Sequence, residues 1–205
     1  MTFSEGVAHR RCAGLRPEIT VVQSEEGSQV RPTAAQSRTG PVPPQGTNQP
    51  AREIVVVGAH GGAGTTTLAI LLQPSWDIGS VRRPSRGRPA IRPTWGRPLT
   101  LVSRNTAMAA AQAIVAVNAI TWQAERVAVL AIVSDGFPEP AAAAYRFQVL
   151  SARVGAVVRV PFVASLRISN DPAQVSLPRR VRRSIADIRA KALASADGPE
   201  PIRTP

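Results

Sequence analysis

Residues 54–68 decide the fold of this chain, and they read Ile-Val-Val-Val-Gly-Ala-His-Gly-Gly-Ala-Gly-Thr-Thr-Thr-Leu. A run of β-branched apolar residues meets a glycine-rich turn, as happens where a buried strand delivers the chain to a ligand. Glycines let several backbone N–H groups converge on one anion, and the first turn of a following helix adds its unpaired donors. The stretch therefore predicts a strand, a phosphate-binding turn and a helix that starts at Thr65, Thr66 and Thr67.

The turn departs from the usual phosphate-binding loop, which reads G-x-x-x-x-G-K-[ST]. Aligned on Gly64, the chain has Ala59 at the first glycine and Thr65 at the lysine, while Thr66 keeps the hydroxyl that would bind magnesium. Losing one lysine–phosphate contact removes about 1.5–3 kcal/mol, or roughly 10–100-fold in affinity. We expect weak binding of ATP or another nucleotide with Mg²⁺. The predicted cofactor-binding residues are His60, Gly61, Gly62, Ala63, Gly64, Thr65, Thr66 and Thr67. The alternative is a glycine turn kept for close packing of helix on strand.

The amino-acid composition indicates the kind of core, the partners and the location to expect. The chain has 205 residues, 43% of them hydrophobic but only 4% aromatic, which predicts an aliphatic, alanine-rich core. Its formal net charge is +12, and Lys191 is the one lysine among 25 basic residues. Such a charge favours nucleic acid, anionic surfaces or acidic proteins as partners. Cys12 is the single cysteine, so no disulfide can form within the chain, and no apolar run is long enough for a membrane span. These features predict a soluble, cytoplasmic protein.

The chain divides into a central domain and two tails. Residues 1–51 and 197–205 are rich in polar residues and proline, which predicts disordered tails. Residues 52–196 form the predicted domain. Within it, residues 73–98 alternate arginines and prolines with Trp76 and Trp95 and carry one acid, Asp77. This stretch lacks an evident helical or strand period and is predicted to be a long structureless insertion.

Strand and helix patterns alternate along the domain, which predicts an α/β fold with a small parallel sheet sandwiched by helices. Four strands are predicted, at residues 53–58, 99–103, 127–134 and 157–162. Four helices are predicted, at residues 65–72, 106–123, 140–153 and 178–195, the second opening at Asn105 or Thr106. In the second helix Met108, Ala111, Val115 and Trp122 share one helical phase. In the last helix an apolar stripe comprises Val181, Ile185, Ile188 and Ala192.

The turn resembles the deviant Walker A loop of ParA/MinD-type ATPases, whose pattern is K-G-G-x-G-K-[ST]-T. Gly61, Gly62, Gly64, Thr66 and Thr67 match this pattern, whereas His60 replaces the family's signature lysine and Thr65 replaces its P-loop lysine. Residues 101–104, 131–135 and 158–162 are similar in order to the family's last three core strands. The resemblance covers about residues 53–168 and implies a reduced P-loop NTPase-like domain that binds a nucleotide.

The same string of residues 60–68 is also similar to that of a group of uncharacterised proteins from high-GC bacteria. Those proteins are often linked to plasmids or conjugative elements and carry a V-x-x-V-P-[FW]-V segment near the end. This second resemblance implies a part in plasmid maintenance or conjugative transfer.

Residues that would support hydrolysis are missing from the expected places. The ATPase family carries its switch and Walker B aspartates between the first helix and the later strands, where this chain has the arginine-proline stretch and Asp77 alone. Asp135 follows a strand and is the best substitute, so Thr66 and Asp135 are the predicted metal ligands. Asp135 as a turn-former before Gly136 is the plainer interpretation. Arg104 could replace the lost cation, or form a surface salt bridge.

Two basic segments suit contact with nucleic acid or an acidic protein, because arginines bind phosphates and nearby tryptophans can stack on bases. Solvated charge is the alternative interpretation. The candidate contact residues are Arg82, Arg83, Arg86 and Arg88 in the insertion and Arg179, Arg180, Arg182 and Arg183 in the last helix.

These patterns together predict a degenerate ParA/MinD-like P-loop protein that binds nucleotide weakly, does not hydrolyse it, and acts as a binding or regulatory module. The first alternative is a slow ATPase in which Asp135 or Arg104 compensates. The second is a basic nucleic-acid-binding accessory protein with a vestigial P-loop. The sequence leaves the partner, the nucleotide and the oligomeric state open.

Overall fold

The computed structural model describes residues 53–82 and 89–196. Within them, five strands form one sheet in the order β2-β1-β3-β4-β5, and every neighbouring pair is parallel. Helices cover both faces of this sheet, because each parallel crossover must return over one face. The predicted α/β fold with a small parallel sheet between helices is confirmed.

The strands and helices alternate along the described chain except that β3 follows β2 with no helix between them among the described residues. The strands are β1 (Ile54–Gly58), β2 (Ser75–Ser80), β3 (Leu99–Arg104), β4 (Val127–Val133) and β5 (Ala156–Val160). The helices are α1 (Thr65–Leu71), α2 (Ala107–Thr121), α3 (Ala141–Ser151), the short α4 (Ser165–Ile168) and α5 (Arg179–Ala196), with a single 3₁₀ turn at Pro172–Gln174. The four predicted strands and four predicted helices are all present, with ends that differ by one to two residues.

Alternating side chains of the strands build two separate apolar layers. On one face, residues such as Val55, Leu101 and Leu130 pack with α2 and α3. On the other face, residues such as Val56 and Val129 pack with α1 and α5. Strands β1, β3 and β4 are buried on both faces. Strands β1 and β4 are accordingly continuous apolar runs, as expected for central parallel strands, whereas β3 also carries the buried hydroxyls of Thr100 and Ser103. This burial fixes the position of the glycine turn at the carboxyl end of β1.

Helix α2 turns its alanine side to the sheet and its larger apolar residues to solvent. Ala110, Ala113 and Ala116 are buried, whereas Met108, Val115 and Trp122 are exposed. The branched side chains of the strands fill the layer, so small residues on α2 let the helix approach closely. The chain enters this helix through Thr106, whose hydroxyl accepts a hydrogen bond from the Ala109 N–H at 3.2 Å, one of the two caps that the sequence offered.

The prediction of a structureless insertion at residues 73–98 is wrong where β2 lies. Residues Ser75–Ser80 pair in parallel with β1 and form one edge of the sheet, with Asp77 opposite Val56. Trp76 and Ile78 are half-buried against the layer that carries α2 and α3, so the strand does alternate apolar and polar residues. The alternation includes only two apolar residues and begins directly after Pro74, so the many arginines and prolines around it hid the pattern.

Residues 89–98 have no helix or strand but are fastened to the domain. The Thr94 hydroxyl is buried and donates to the Glu125 carboxylate at 2.9 Å, and the Ile91 N–H donates to Gln123 Oε1 at 3.1 Å. Arg97 donates to Glu53 at 2.9 Å. These side-chain hydrogen bonds hold the segment in place without the regular backbone hydrogen bonds of a helix or strand.

The predicted apolar stripe of the last helix is confirmed, since Val181, Ile188 and Ala192 are fully buried in α5 and Ile185 packs against them. Arg189 of the same helix donates to the Leu72 carbonyl at 2.8 Å. No helix within residues 53–82 and 89–196 is long and apolar enough to span a bilayer. The predicted disordered tails at residues 1–51 and 197–205 lie outside the described residues.

Candidate functional site

The glycine turn, residues 59–64, connects the carboxyl end of β1 to α1. Ala59 and Ala63 are buried, while Gly61 and Gly62 are exposed at its tip. Gly64 has a φ of 90°, a left-handed conformation that side chains rarely adopt, and it passes the chain directly into the helix. The backbone of Gly61 and Gly62 is therefore open to solvent at the carboxyl edge of the sheet, where parallel α/β proteins bind ligands.

Thr65, which stands where a P-loop has lysine, belongs to the packing of the turn. It is 8% exposed, and a Cβ placed on Gly58 would clash with its hydroxyl oxygen. The same Cβ would stand 3.0 Å from the His60 carbonyl oxygen. The end of β1, the turn and the first residue of α1 therefore enclose Gly58 so closely that no side chain fits there.

Thr66 and Asp77 meet at the mouth of the turn. The Thr66 hydroxyl donates to Asp77 Oδ2 at 2.7 Å, and Asp77 Oδ1 accepts the Gly79 N–H at 2.8 Å. Both residues are exposed, so the pair is accessible from solvent. Sequence reasoning left Asp77 as a single acid in an insertion; the alternation of Trp76 and Ile78 around it was the signal that would have put it on a strand beside β1.

His60 stands at the start of the turn with one ring nitrogen occupied. Its Nδ1 lies 2.9 Å from the Gly61 carbonyl oxygen, to which a protonated Nδ1 donates. Its Nε2 is buried and has no hydrogen-bond partner among the described residues. A buried nitrogen of this kind normally has a hydrogen-bond partner, so Nε2 is an unused hydrogen-bonding atom at the start of the turn.

Two arginines approach the same edge of the sheet. Arg82 and Arg92 line an open polar cleft together with Asp77, Gly79 and Ser80, with a volume of about 380 Å³. Arg82 is the one member of the predicted insertion set that the structure describes; Arg83, Arg86 and Arg88 lie outside the described residues. Arg104, the residue that sequence reasoning selected to replace the lost cation, lines a different cavity, together with Gly64 and Thr67.

The predicted metal ligand Asp135 is engaged in a turn on another part of the sheet edge. Its Oδ1 accepts the Phe137 N–H at 3.0 Å, and its own N–H donates to Asn105 Oδ1 at 3.1 Å. Asn105 is buried and also donates to the Phe137 carbonyl at 3.0 Å, so it joins the ends of β3 and β4. The hydroxyl of Thr66 is paired with Asp77 and not with Asp135.

An apolar cavity of about 140 Å³ adjoins the turn between α1 and the ends of β4 and β5. Gly64 and Thr67 border it on the side of the turn, and Arg104, Asp135 and Arg167 border it as charged residues. The remaining lining is mostly aliphatic, with Phe162, whose ring lies 5.5 Å from the Arg167 guanidinium carbon. The cavity is the size of a small ring, so it could take a flat apolar group next to the turn.

The tryptophans of the arginine-proline stretch are used by the fold. The Trp76 indole N–H donates to Glu53 at 3.0 Å, and the Arg97 guanidinium lies 4.9 Å from the Trp76 ring centroid. Trp95 lies 6.2 Å from Trp76, centroid to centroid. One side of the Trp76 ring is therefore occupied by Arg97, and its N–H is occupied by Glu53. Trp76 is not free for the base stacking that the sequence suggested for this stretch.

The four arginines predicted on the last helix all lie exposed on its first two turns. Arg179, Arg180, Arg182 and Arg183 surround Val181, which alone among residues 179–183 is buried. The structure gathers these four arginines at the start of α5, and among the described residues no hydrogen bond or ion pair joins them to residues 59–66.

Comparison with known proteins finds no matching family model, no matching curated protein and no matching solved structure. The likeness to ParA/MinD-type ATPases therefore depends on the residues of the turn and on the order of the strands.

Proposed function

We propose that the chain binds a nucleotide through its phosphates at the glycine turn, with Mg²⁺, and does not hydrolyse it. The observation that carries this proposal is the hydrogen bond between Thr66 and Asp77, 2.7 Å long, at the open mouth of the turn. A hydroxyl and a carboxylate are the hard oxygen donors that Mg²⁺ takes from proteins. The protein would serve as a nucleotide-responsive binding module of ParA/MinD-like type.

The phosphates would be held by the backbone of the turn. Exposed N–H groups around Gly61 and Gly62 supply donors that need no side-chain charge, and the unpartnered His60 Nε2 lies at the start of the same turn. Arg82 and Arg92 would offset the negative charge of the phosphates, which Thr65, unlike a lysine, cannot do. These groups support weak binding, reduced roughly 10–100-fold by the lost lysine.

Few protein atoms would coordinate the magnesium ion. No cluster of three or more His, Cys, Asp or Glu side chains is placed to hold a metal within residues 53–82 and 89–196. Mg²⁺ is usually held by one or two carboxylates together with substrate phosphates and water, so Thr66 and Asp77 fit this need. The ion would neutralise phosphate charge, and Asp77 would hold it beside the turn.

Hydrolysis requires more than this set supplies. Phosphoryl transfer depends on a lysine or equivalent cation aligned with the outer phosphates and on a residue that orients the attacking water. Thr65 is buried at the lysine position, and Asp77, which would hold the magnesium ion with Thr66, is then not free to orient a water. A slow ATPase assisted by Asp135 or Arg104 is the alternative that a turnover measurement excludes or establishes.

Calorimetry of the full chain with ATP and ADP, with and without Mg²⁺, tests the proposal. We expect binding that is stronger with Mg²⁺ than without it, and loss of that difference in Asp77→Asn. Asp187→Asn is the matched control, because Asp187 is an exposed aspartate paired with Lys191 on α5. Absence of heat with either nucleotide at any magnesium concentration would contradict nucleotide binding altogether.

A second function is favoured by the exposed arginines of α5. Four of its first five residues are arginine, and their side chains point away from the buried stripe of the helix. A basic surface of this kind suits the phosphates of nucleic acid or an acidic protein. Together with the resemblance to plasmid- and conjugation-associated proteins, it suggests a cytoplasmic protein of plasmid maintenance or transfer whose nucleotide site regulates contact with such a partner.

A further inference from the structure

The outer sides of α2 and α3 carry apolar residues that the fold does not use. The face comprises Met108, Val115 and Trp122 on α2 and Tyr145 and Val149 on α3, and is called the outer apolar face below. Met108 is 70% exposed, Val115 57% and Trp122 91%. Clusters of large exposed apolar residues on soluble proteins mark surfaces that meet another molecule.

The residues of the outer apolar face lie together because of helical spacing and helix packing. Met108, Val115 and Trp122 are seven residues apart, so they follow one line along α2 with a small drift. Helix α3 lies beside this line. Arg146 donates to the Ala107 carbonyl at 3.2 Å and Arg153 donates to Asn118 Oδ1 at 2.7 Å.

The outer apolar face is nearly free of charge, unlike the rest of the chain. None of the 15 residues of α2 is charged. The charged side chains beside it are Arg146 of α3 and Arg153 in the turn after α3, and both donate hydrogen bonds to α2. The chain as a whole carries +12. An acidic partner is drawn to the basic surfaces, such as the start of α5, and gains nothing electrostatic from this face.

We propose that the outer apolar face is where two copies of this chain associate. Two molecules of charge +12 repel each other most where their basic surfaces meet, so an uncharged face is the approach that costs least. A second copy also brings the same apolar residues, as a two-fold interface requires. This inference does not depend on nucleotide binding.

The spacing on α2 specifies how the copies meet. Val115 lies midway between Met108 and Trp122, so antiparallel α2 helices crossing at Val115 bring Met108 of each copy to Trp122 of the other. Helix α2 is about 22 Å long, and two adjacent helices present a face of about 400 Å². Stable interfaces bury about 800 Å² per partner, so the dimer is expected to be weak and reversible.

Sedimentation velocity of the full chain over a wide concentration range tests the association. We expect dimer to increase with protein concentration and also with salt, because salt screens the repulsion between the two charged copies. Val115→Glu and Trp122→Glu should each leave a monomer. Ile168→Glu is the matched control, because Ile168 is 86% exposed on α4, outside the face. Circular dichroism melts verify that each variant is folded.

A crosslink locates the contact independently of affinity. In a Cys12→Ser background, Val115→Cys should oxidise to a disulfide-linked dimer across the two-fold axis, and Ile168→Cys should not. A monomer at every concentration and salt overturns the proposal, whether the face is then bare or covered by the chain's own residues 1–52. A dimer that persists in both Val115→Glu and Trp122→Glu overturns it as well.

Discussion

The hydroxyl of Thr66 donates to the carboxylate of Asp77 at 2.7 Å, although the two residues belong to different elements. Thr66 lies in the first turn of α1, and Asp77 lies on the edge strand β2. Their meeting brings a hydroxyl and an acid to the mouth of the glycine turn, where the sequence had suggested Thr66 with Asp135 as the acid. This pair is the basis of the magnesium and nucleotide proposal.

The first prediction concerns the missing lysine. Thr65→Lys should tighten ATP binding roughly 10–100-fold, because it restores a charged contact to the phosphates. Phosphate release should stay at background in both wild type and Thr65→Lys, since Asp77 is the one acid in the stretch where the ATPase family carries its switch and Walker B aspartates. Calorimetry measures the affinity, and a phosphate assay measures turnover. A thermal melt should accompany both, because Thr65 is almost buried. Wild-type turnover that disappears in Thr66→Ala would establish an active ATPase instead.

The second prediction concerns the close packing at Gly58. Gly58→Ala should lower the free energy of unfolding by about 1–3 kcal/mol, because the added Cβ clashes with the Thr65 hydroxyl and crowds the His60 carbonyl. Gly61→Ala is the control, since a Cβ there meets nothing within 4 Å. Urea denaturation measures both. Equal stability of the two variants would mean that the turn is looser than its geometry implies.

The third prediction concerns the pH dependence of the contacts around Glu53. The hydrogen bond from Arg97 lowers the pKa of Glu53 below its ordinary value of 4.5, assisted by the Trp76 indole and the charge of Arg97 and opposed by burial. A depressed pKa stabilises the fold above pH 4.5, and the benefit is lost as pH falls through the folded-state pKa.

Wild type should therefore melt at a higher temperature than Glu53→Gln at neutral pH, and the difference should shrink as the pH falls below 4.5. The size of the effect is modest, because Glu53 is 37% exposed. Melting curves from pH 3 to 7 measure it. A difference that is constant across this range would show that Glu53 contributes by shape alone.

The fourth prediction concerns the basic surfaces. If the exposed arginines bind duplex DNA, affinity should fall with salt at a log–log slope of about −0.9 per neutralised phosphate, without sequence preference. A variant with Arg179, Arg180, Arg182 and Arg183 changed to Gln should have a shallower slope than wild type. A second variant, with Arg82, Arg83, Arg86 and Arg88 changed to Ser, loses the same number of positive charges from the other basic segment. Comparing its salt slope with that of the first variant shows which segment contacts the DNA. Equal slopes in all three proteins, or no binding at low salt, would leave α5 as a protein-docking surface.

The sequence by itself determined the elements that have a strong local pattern. The continuous apolar runs of β1 and β4 could be recognised because strands buried on both faces are mostly apolar. The apolar stripe of α5, at Val181 and Ile188, was equally plain, because three-to-four-residue spacing belongs to a half-buried helix. The glycine turn and its position at the end of β1 followed from the same runs.

Only the tertiary structure decided which distant residues meet. Asp77 became the partner of Thr66 because β2 pairs beside β1, and pairing between strands is not written in the local sequence. In the sequence, Asp135 was an equally suitable acid because it follows a core strand. In the structure, its carboxylate accepts a hydrogen bond from the Phe137 N–H within a turn. The exposure of Trp122 likewise depends on which side of α2 packs on the sheet. The alanines on the side opposite Trp122 allow the helix to approach the sheet more closely, so that side is buried.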